Sequence, residues 1–188
     1  MIMEKKYTRK KSLLIAQGAV IAALYATLTI LQNVLLPGSA SMAVQFRVAE
    51  VLTILALYTP AAIPGLTIGC IIANISSVAV LGAYDLIFGS LASFCASLLM
   101  YLFRNIRLFK LPVLAALMPA LMNGIIIGFE IDFFFINAWH FDFADFLLQG
   151  SLVALGELAV LFILGLPLSV IIDKTNFGKT VHLNSGKD

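Results

Sequence analysis

The chain has 188 residues, of which 61% are hydrophobic and only 12% charged, and its mean hydropathy is +1.03. A soluble domain is about half apolar and a quarter charged, so a water-soluble globule is excluded and most of this chain is solvated by lipid. The net charge of +2 says little as a total, and the length suits one domain with no room for an attached nucleotide-hydrolysing domain.

Five basic residues, Lys5, Lys6, Arg9, Lys10 and Lys11, precede the first apolar run, residues 12–36. The run is too long for the core of a signal peptide and further runs follow, so it reads as a membrane helix. It carries Ala16, Ala19, Ala22, Ala23 and Ala26 at steps of three and four, which predicts one face of small residues. In lipid such a face lets backbones approach closely, either within this bundle or against another membrane subunit. The second run, 45–58, is short and opens with Gln45, Arg47 and Glu50. Arg47 and Glu50 are three apart and share a helical face, as a structural ion pair or as the polar wall of a pocket. The third run, 61–81, follows Pro60 and carries Pro64, then Gly65, Gly69 and Ala73, another close-packing stripe, and then Asn74.

The fourth run, 84–103, opens with Tyr84 and Asp85, the acid being either a helix cap or a pocket group. The fifth, 112–135, places Asn123 and Glu130 seven apart on one face. An aromatic stretch follows, with Phe133, Phe134, Phe135, Trp139, Phe141, Phe143 and Phe146. Most of it reads as an interfacial belt; a minority could stack on a flat ligand. The sixth run, 146–172, carries Gln149, Gly156 and Glu157. Glu157 lies about eleven residues in, roughly 16 Å deep. An unpaired carboxylate near the bilayer midplane costs several kcal/mol.

Most runs reach the ~20 residues a bilayer requires, and none alternates as a strand would. The expected fold is an all-α integral membrane protein of six transmembrane helices, divided into a basic segment (1–11), a membrane domain (12–173) and a tail (174–188). Arg104, Arg107 and Lys110 sit between runs four and five, and Lys174, Lys179 and Lys187 follow run six. With six spans these clusters share one side with the N-terminus, which the positive-inside rule makes the cytoplasm. Arg47 is the one basic residue left for the outer half, where Glu50, Asp85, Glu130, Asp132, Asp142, Asp145 and Glu157 all map. Cys70 and Cys95 lie inside apolar runs and read as small hydrophobes. No His-Glu-x-x-His, Cys-x-x-Cys or phosphate-binding loop occurs, so no metal, cofactor or nucleophilic site is expected.

The stretches Gln45-Phe-Arg-Val-Ala-Glu50, Pro60-Ala-Ala-Ile-Pro-Gly65, Gly69-Cys-Ile-Ile-Ala-Asn74, Tyr84-Asp-Leu-Ile-Phe-Gly-Ser-Leu-Ala92 and Leu155-Gly-Glu157 together resemble the QueT family. The resemblance covers residues 12–173. It implies a substrate-binding S component of an energy-coupling factor (ECF) transporter: a six-helix membrane protein without its own ATPase. Such a component works with a transmembrane coupling subunit and two cytoplasmic ATPases. An alanine-rich first helix is the usual docking face of such components, which fits Ala19, Ala22, Ala23 and Ala26. The family's link to queuosine implies a 7-deazaguanine ligand (a precursor, queuine or queuosine) and no nucleic-acid partner.

The chemistry of the residues suits that ligand. A deazaguanine presents N–H donors to carboxylates, a carbonyl to Arg, Asn or Gln, and a flat face to Tyr or Trp. The expected pocket residues are Glu50, Asn74, Asp85, Asn123, Glu130 and Glu157, followed by Arg47, Gln45, Tyr84 and Trp139. The remaining readings are an S component for another vitamin such as riboflavin or thiamine, a membrane enzyme using Glu130 and Glu157, and an assembly subunit.

Overall fold

A computed structural model describes residues 2–37, 39, 45–75, 78 and 83–175, with side chains from Lys11 onward. The expected end of run three at Leu81, the tail residues Lys179 and Lys187, and the side chains of Lys5, Lys6, Arg9 and Lys10 lie outside them. Helix α1 is Ile2–Leu35, and α2 is Ala62–Ile75. Helix α3 is Tyr84–Phe103, α4 is Val113–Glu130, α5 is Phe143–Val160, and α6 is Leu166–Lys174. Between α1 and α2 lies a ten-residue 3-10 helix, Val48–Leu57. A π-helical turn, Ile131–Ile136, extends α4, and another, Leu161–Gly165, joins α5 to α6. The second π turn stands just before Pro167, which lacks an N–H and crowds the carbonyl four residues back.

Four helical stretches among the described residues are long and apolar enough to cross a bilayer: Lys11–Leu35, Tyr84–Phe103, Val113–Ile136 and Phe143–Lys174. The expectation of six is thus met for four. The second run is the short 3-10 helix, and the described part of the third, α2, is fourteen residues long. Large apolar side chains face outward from these helices, among them Leu24, Val34, Leu91, Leu121, Leu155 and Ile163. In water that surface would be costly; in lipid it is the ordinary outer face of a bundle.

Helices α1 to α5 pack in chain order, each against the next, and the 3-10 helix touches all of them and α6. It is the core of the fold: Ile54, Ala56 and Leu57 are buried with Ile21, Tyr25, Leu66, Met100 and Leu161. Its geometry follows from where α1 holds it. Gln17 accepts a hydrogen bond from Thr59 Oγ1 at 3.0 Å, and Gln32 accepts one from the Val48 N–H at 2.8 Å. The two glutamines are about 22 Å apart at the α-helical rise. At the 3-10 rise of about 2.0 Å per residue Val48–Leu57 spans about 18 Å, against about 13.5 Å as an α-helix, so it reaches further along α1 between the two glutamines.

The alanines of α1 do not form the single face expected from their spacing. Ala22 and Ala26 are buried, and a Cβ on Gly69 would stand 2.8 Å from the Ala22 carbonyl oxygen. Ala19 and Ala23 are exposed. The Ala22/Ala26 side is used inside the molecule, because the stripe Gly65, Gly69 and Ala73 of α2 lies against α1.

Polar contacts divide the bundle into two ends. At one, Tyr58 donates to the Asp173 carboxylate at 2.9 Å, and Arg107 pairs with the same carboxylate at 2.7 Å. At the other stand Gln32, Arg47, Asp85 and the loop after α4.

Candidate functional site

The opening of the 3-10 helix brings the first polar groups inward. Arg47 precedes the helix in an extended conformation (φ −95°, ψ 94°). Its guanidinium therefore leaves the helix axis and reaches Asp85 Oδ1 on α3 at 3.4 Å. The Arg47–Glu50 ion pair expected from spacing is corrected here. That spacing argument needs both residues inside one helix, and Arg47 lies just outside it. Glu50, fully buried, instead accepts a hydrogen bond from the Tyr25 hydroxyl of α1 at 2.5 Å. Asp85 is in the first turn of α3 but is not its cap residue, which is Ala83. Asn74 donates from its amide to the Asp85 carbonyl oxygen at 2.9 Å, tying α2 to that turn.

The other acids come from α4 and α5. Asn123 donates to Glu157 Oε1 at 3.0 Å; both are 2% exposed. Glu130, on the same face of α4 as Asn123, is equally buried. Glu157 feels the charges of Glu50 and Arg47, and Glu130 those of Asp85 and Arg47. Arg47 and groups from four helical elements, the 3-10 helix, α3, α4 and α5, thus share one electrostatic neighbourhood deep in the bundle. Gly156 makes the approach possible. A Cβ there would stand 1.9 Å from the Gln45 carbonyl oxygen, so only glycine lets α5 bring Glu157 up to the start of the 3-10 helix.

Acceptors in this neighbourhood outnumber their donors. Among the described residues, Gln45 Oε1, Glu50 Oε2, Asn123 Oδ1, Glu130 Oε2 and Glu157 Oε2 are buried with no hydrogen-bond partner. Buried polar atoms are nearly always paired, and leaving one unpaired costs ~1–3 kcal/mol, more for a charged group. Such oxygens can accept hydrogen bonds from a multiply donating or cationic molecule. Among the described residues no group of His, Cys, Asp and Glu is arranged to hold a metal ion.

Tyr84 and Trp139 belong to an adjoining aromatic cluster. The Tyr84 ring stacks on Phe134 at 4.2 Å and meets Trp139 edge-on at 6.2 Å. Trp139 itself is 61% exposed. Its positive φ of 74° belongs to a turn built around Asp132. That buried carboxylate accepts from the Asn137 amide at 2.6 Å and from the Asp142 N–H at 3.2 Å, while Asn137 also donates to Asp145. Asp132, Asp142 and Asp145 therefore organise a loop.

Tyr25, Gln32 and Asp132 carry much of this arrangement, and sequence reasoning singled out none of them as site residues. Tyr25 and Gln32 lie seven apart on a helix whose membrane stretch is mostly apolar. A polar residue recurring at that interval on one face was the available signal.

A family model described as the QueT transporter matches residues 15–174. No curated protein and no solved structure matches the chain.

Proposed function

The chain belongs to the QueT transporter family and is a multi-pass membrane transport protein rather than an enzyme; from that premise, we propose that it is the substrate-binding S component of an ECF-type importer and that it captures a 7-deazaguanine from outside the cell. The observation that carries this reading is the set of five buried, partnerless acceptor oxygens on Gln45, Glu50, Asn123, Glu130 and Glu157. A deazaguanine brings N–H and amino donors to such a set. Asp85 already pairs with Arg47, and among the described residues no salt bridge engages Glu50, Glu130 or Glu157; an aminomethyl arm would supply an ammonium. Asn74 supports the floor of the site through Asp85, and Tyr84 and Trp139 offer ring faces at its edge.

In this reading the Arg47–Asp85 end faces outward, and the Tyr58–Asp173–Arg107 end, with both termini, faces the cytoplasm, as the distribution of basic residues favours. The coupling subunit meets α1 on its exposed small residues, Ala19 and Ala23, while Ala22 and Ala26 hold α1 to α2. The ATPases act through that subunit.

The test is mass spectrometry of the ligand retained after purification, with competition for binding. A deazaguanine should be found, and the aminomethyl precursor, queuine and queuosine should outcompete the uncharged nitrile precursor. Retained riboflavin or thiamine would overturn the substrate class. Equal competition by the nitrile would show that the acids read only the ring edge.

A further inference from the structure

We propose that Gln32 is a positioning residue for ligand capture: its side-chain amide clamps the backbone on both sides of Arg47 and so fixes the guanidinium that the site presents. The proposal rests on the reading of the Arg47–Asp85 end as the ligand site. Gln32 is buried on the inner side of α1. Its Nε2 donates to the Phe46 carbonyl and to Ser39 Oγ at 2.9 Å, and its Oε1 accepts from the Val48 N–H at 2.8 Å. Both amide hydrogens are thus used, and the oxygen is engaged as well.

Phe46 and Val48 flank Arg47. One planar amide therefore engages the carbonyl before Arg47 and the N–H after it, as a neighbouring β-strand would. Pairing of that kind holds an extended residue, and Arg47 is extended. From a backbone fixed in this way the side chain reaches Asp85. The bond to Val48 also satisfies one of the N–H groups that a helix start leaves open, here the helix that carries Glu50. Phe46 is further tied to Ser39 by a backbone hydrogen bond of 3.0 Å, so the amide and the backbone fasten the same two points. Without Gln32 the Phe46 carbonyl and the Val48 N–H lose these partners, and the backbone on either side of Arg47 is held only by the Phe46–Ser39 bond and the pair with Asp85.

The test is a double-mutant cycle on the purified protein, read as affinity for aminomethyl-7-deazaguanine. Gln32→Met keeps the length and removes the amide. It should weaken binding by about tenfold, the worth of one or two hydrogen bonds near a charge. In an Arg47→Met background the same change should cost less than about twofold, because its effect runs through Arg47. An equal loss in both backgrounds would make Gln32 a general fold residue and overturn the proposal.

Glu157→Gln is the control for the site itself. If both Arg47→Met and Glu157→Gln bind as the wild type does, the site reading fails, and the clamp is decided by ligand-free amide exchange. Val48 should then exchange faster in Gln32→Met than in the wild type; unchanged exchange overturns the clamp. Should Gln32→Met not fold, Gln32→Glu keeps the acceptor for Val48 and loses both donors. It should leave Val48 protected while weakening binding, and full affinity in that variant overturns the proposal.

Discussion

Glu157→Gln separates a ligand-reading acid from a structural one. Glu157 is 2% exposed; one of its oxygens takes the Asn123 amide at 3.0 Å, and the other has no partner among the described residues. Glutamine preserves the first bond, since its carbonyl accepts from Asn123 just as well. It replaces the second oxygen with an NH2 that donates, and it removes a buried ionisable group that neighbours Glu50. The empty protein should therefore unfold at the same temperature as the wild type or a higher one. The liganded protein loses an interaction between a carboxylate and a donor, worth about 1.5–3 kcal/mol, which is roughly ten- to a hundredfold in Kd. Thermal unfolding in detergent and equilibrium binding of a deazaguanine measure the two halves. A variant that gains stability and binds with unchanged affinity would refute the reasoning and make Glu157 a structural acid.

On α1, Ala23→Trp should abolish association with the coupling subunit while leaving ligand binding intact; Ala22→Trp should instead disrupt the fold, because the Ala22 carbonyl lies against Gly69. Co-purification and thermal unfolding distinguish the two, and unchanged co-purification of Ala23→Trp would refute docking through this face. Asp132→Ala takes one of two acceptors from the Asn137 amide and the side-chain acceptor from the Asp142 N–H, so the emission of Trp139, the single tryptophan, should shift to the red, and an unchanged spectrum would refute the anchoring role. Gly156→Ala should destabilise the protein by about 1–3 kcal/mol through overpacking and weaken ligand binding by pushing Gln45 and Arg47 away. Wild-type stability in thermal unfolding would show that the approach of α5 is not tight.

The long helices were legible because lipid imposes a simple rule. Every backbone group must be satisfied within the segment, so apolar length alone marks a span, and the fourth run, 84–103, coincides with α3. The run at 45–58 was legible as short but not as a 3-10 helix. Its two ends are held by glutamines of α1, contacts far apart in sequence that no local pattern encodes. The buried acids stood out because a carboxylate in an apolar run is costly. Their partners did not, since pairing depends on which helices become neighbours. Arg47 was assigned to Glu50 by spacing, whereas a residue just outside the helix follows its own backbone, here toward Asp85. The alanines of α1 failed in a similar way. The five small residues share one arc of about 120° at 3.6 residues per turn, and only the presence of α2 decides which edge of that arc is used internally.

Helix α1 links the two proposed activities. Gln17, Tyr25 and Gln32 recur at intervals of eight and seven on its inner side, and each hydrogen-bonds the segment from Phe46 to Thr59. Ala19 and Ala23 lie on its outer side, between the levels of Gln17 and Tyr25. The segment that carries Arg47 and Glu50 is therefore held at three points by the helix whose opposite face is proposed to meet the coupling subunit. A ligand bound to the second oxygen of Glu50 would share that carboxylate with the Tyr25 hydroxyl, and a shift of α1 as a unit would carry Ala19 and Ala23 with it. In the proposed function, one helix thus supports the ligand segment on one side and offers the contact surface on the other.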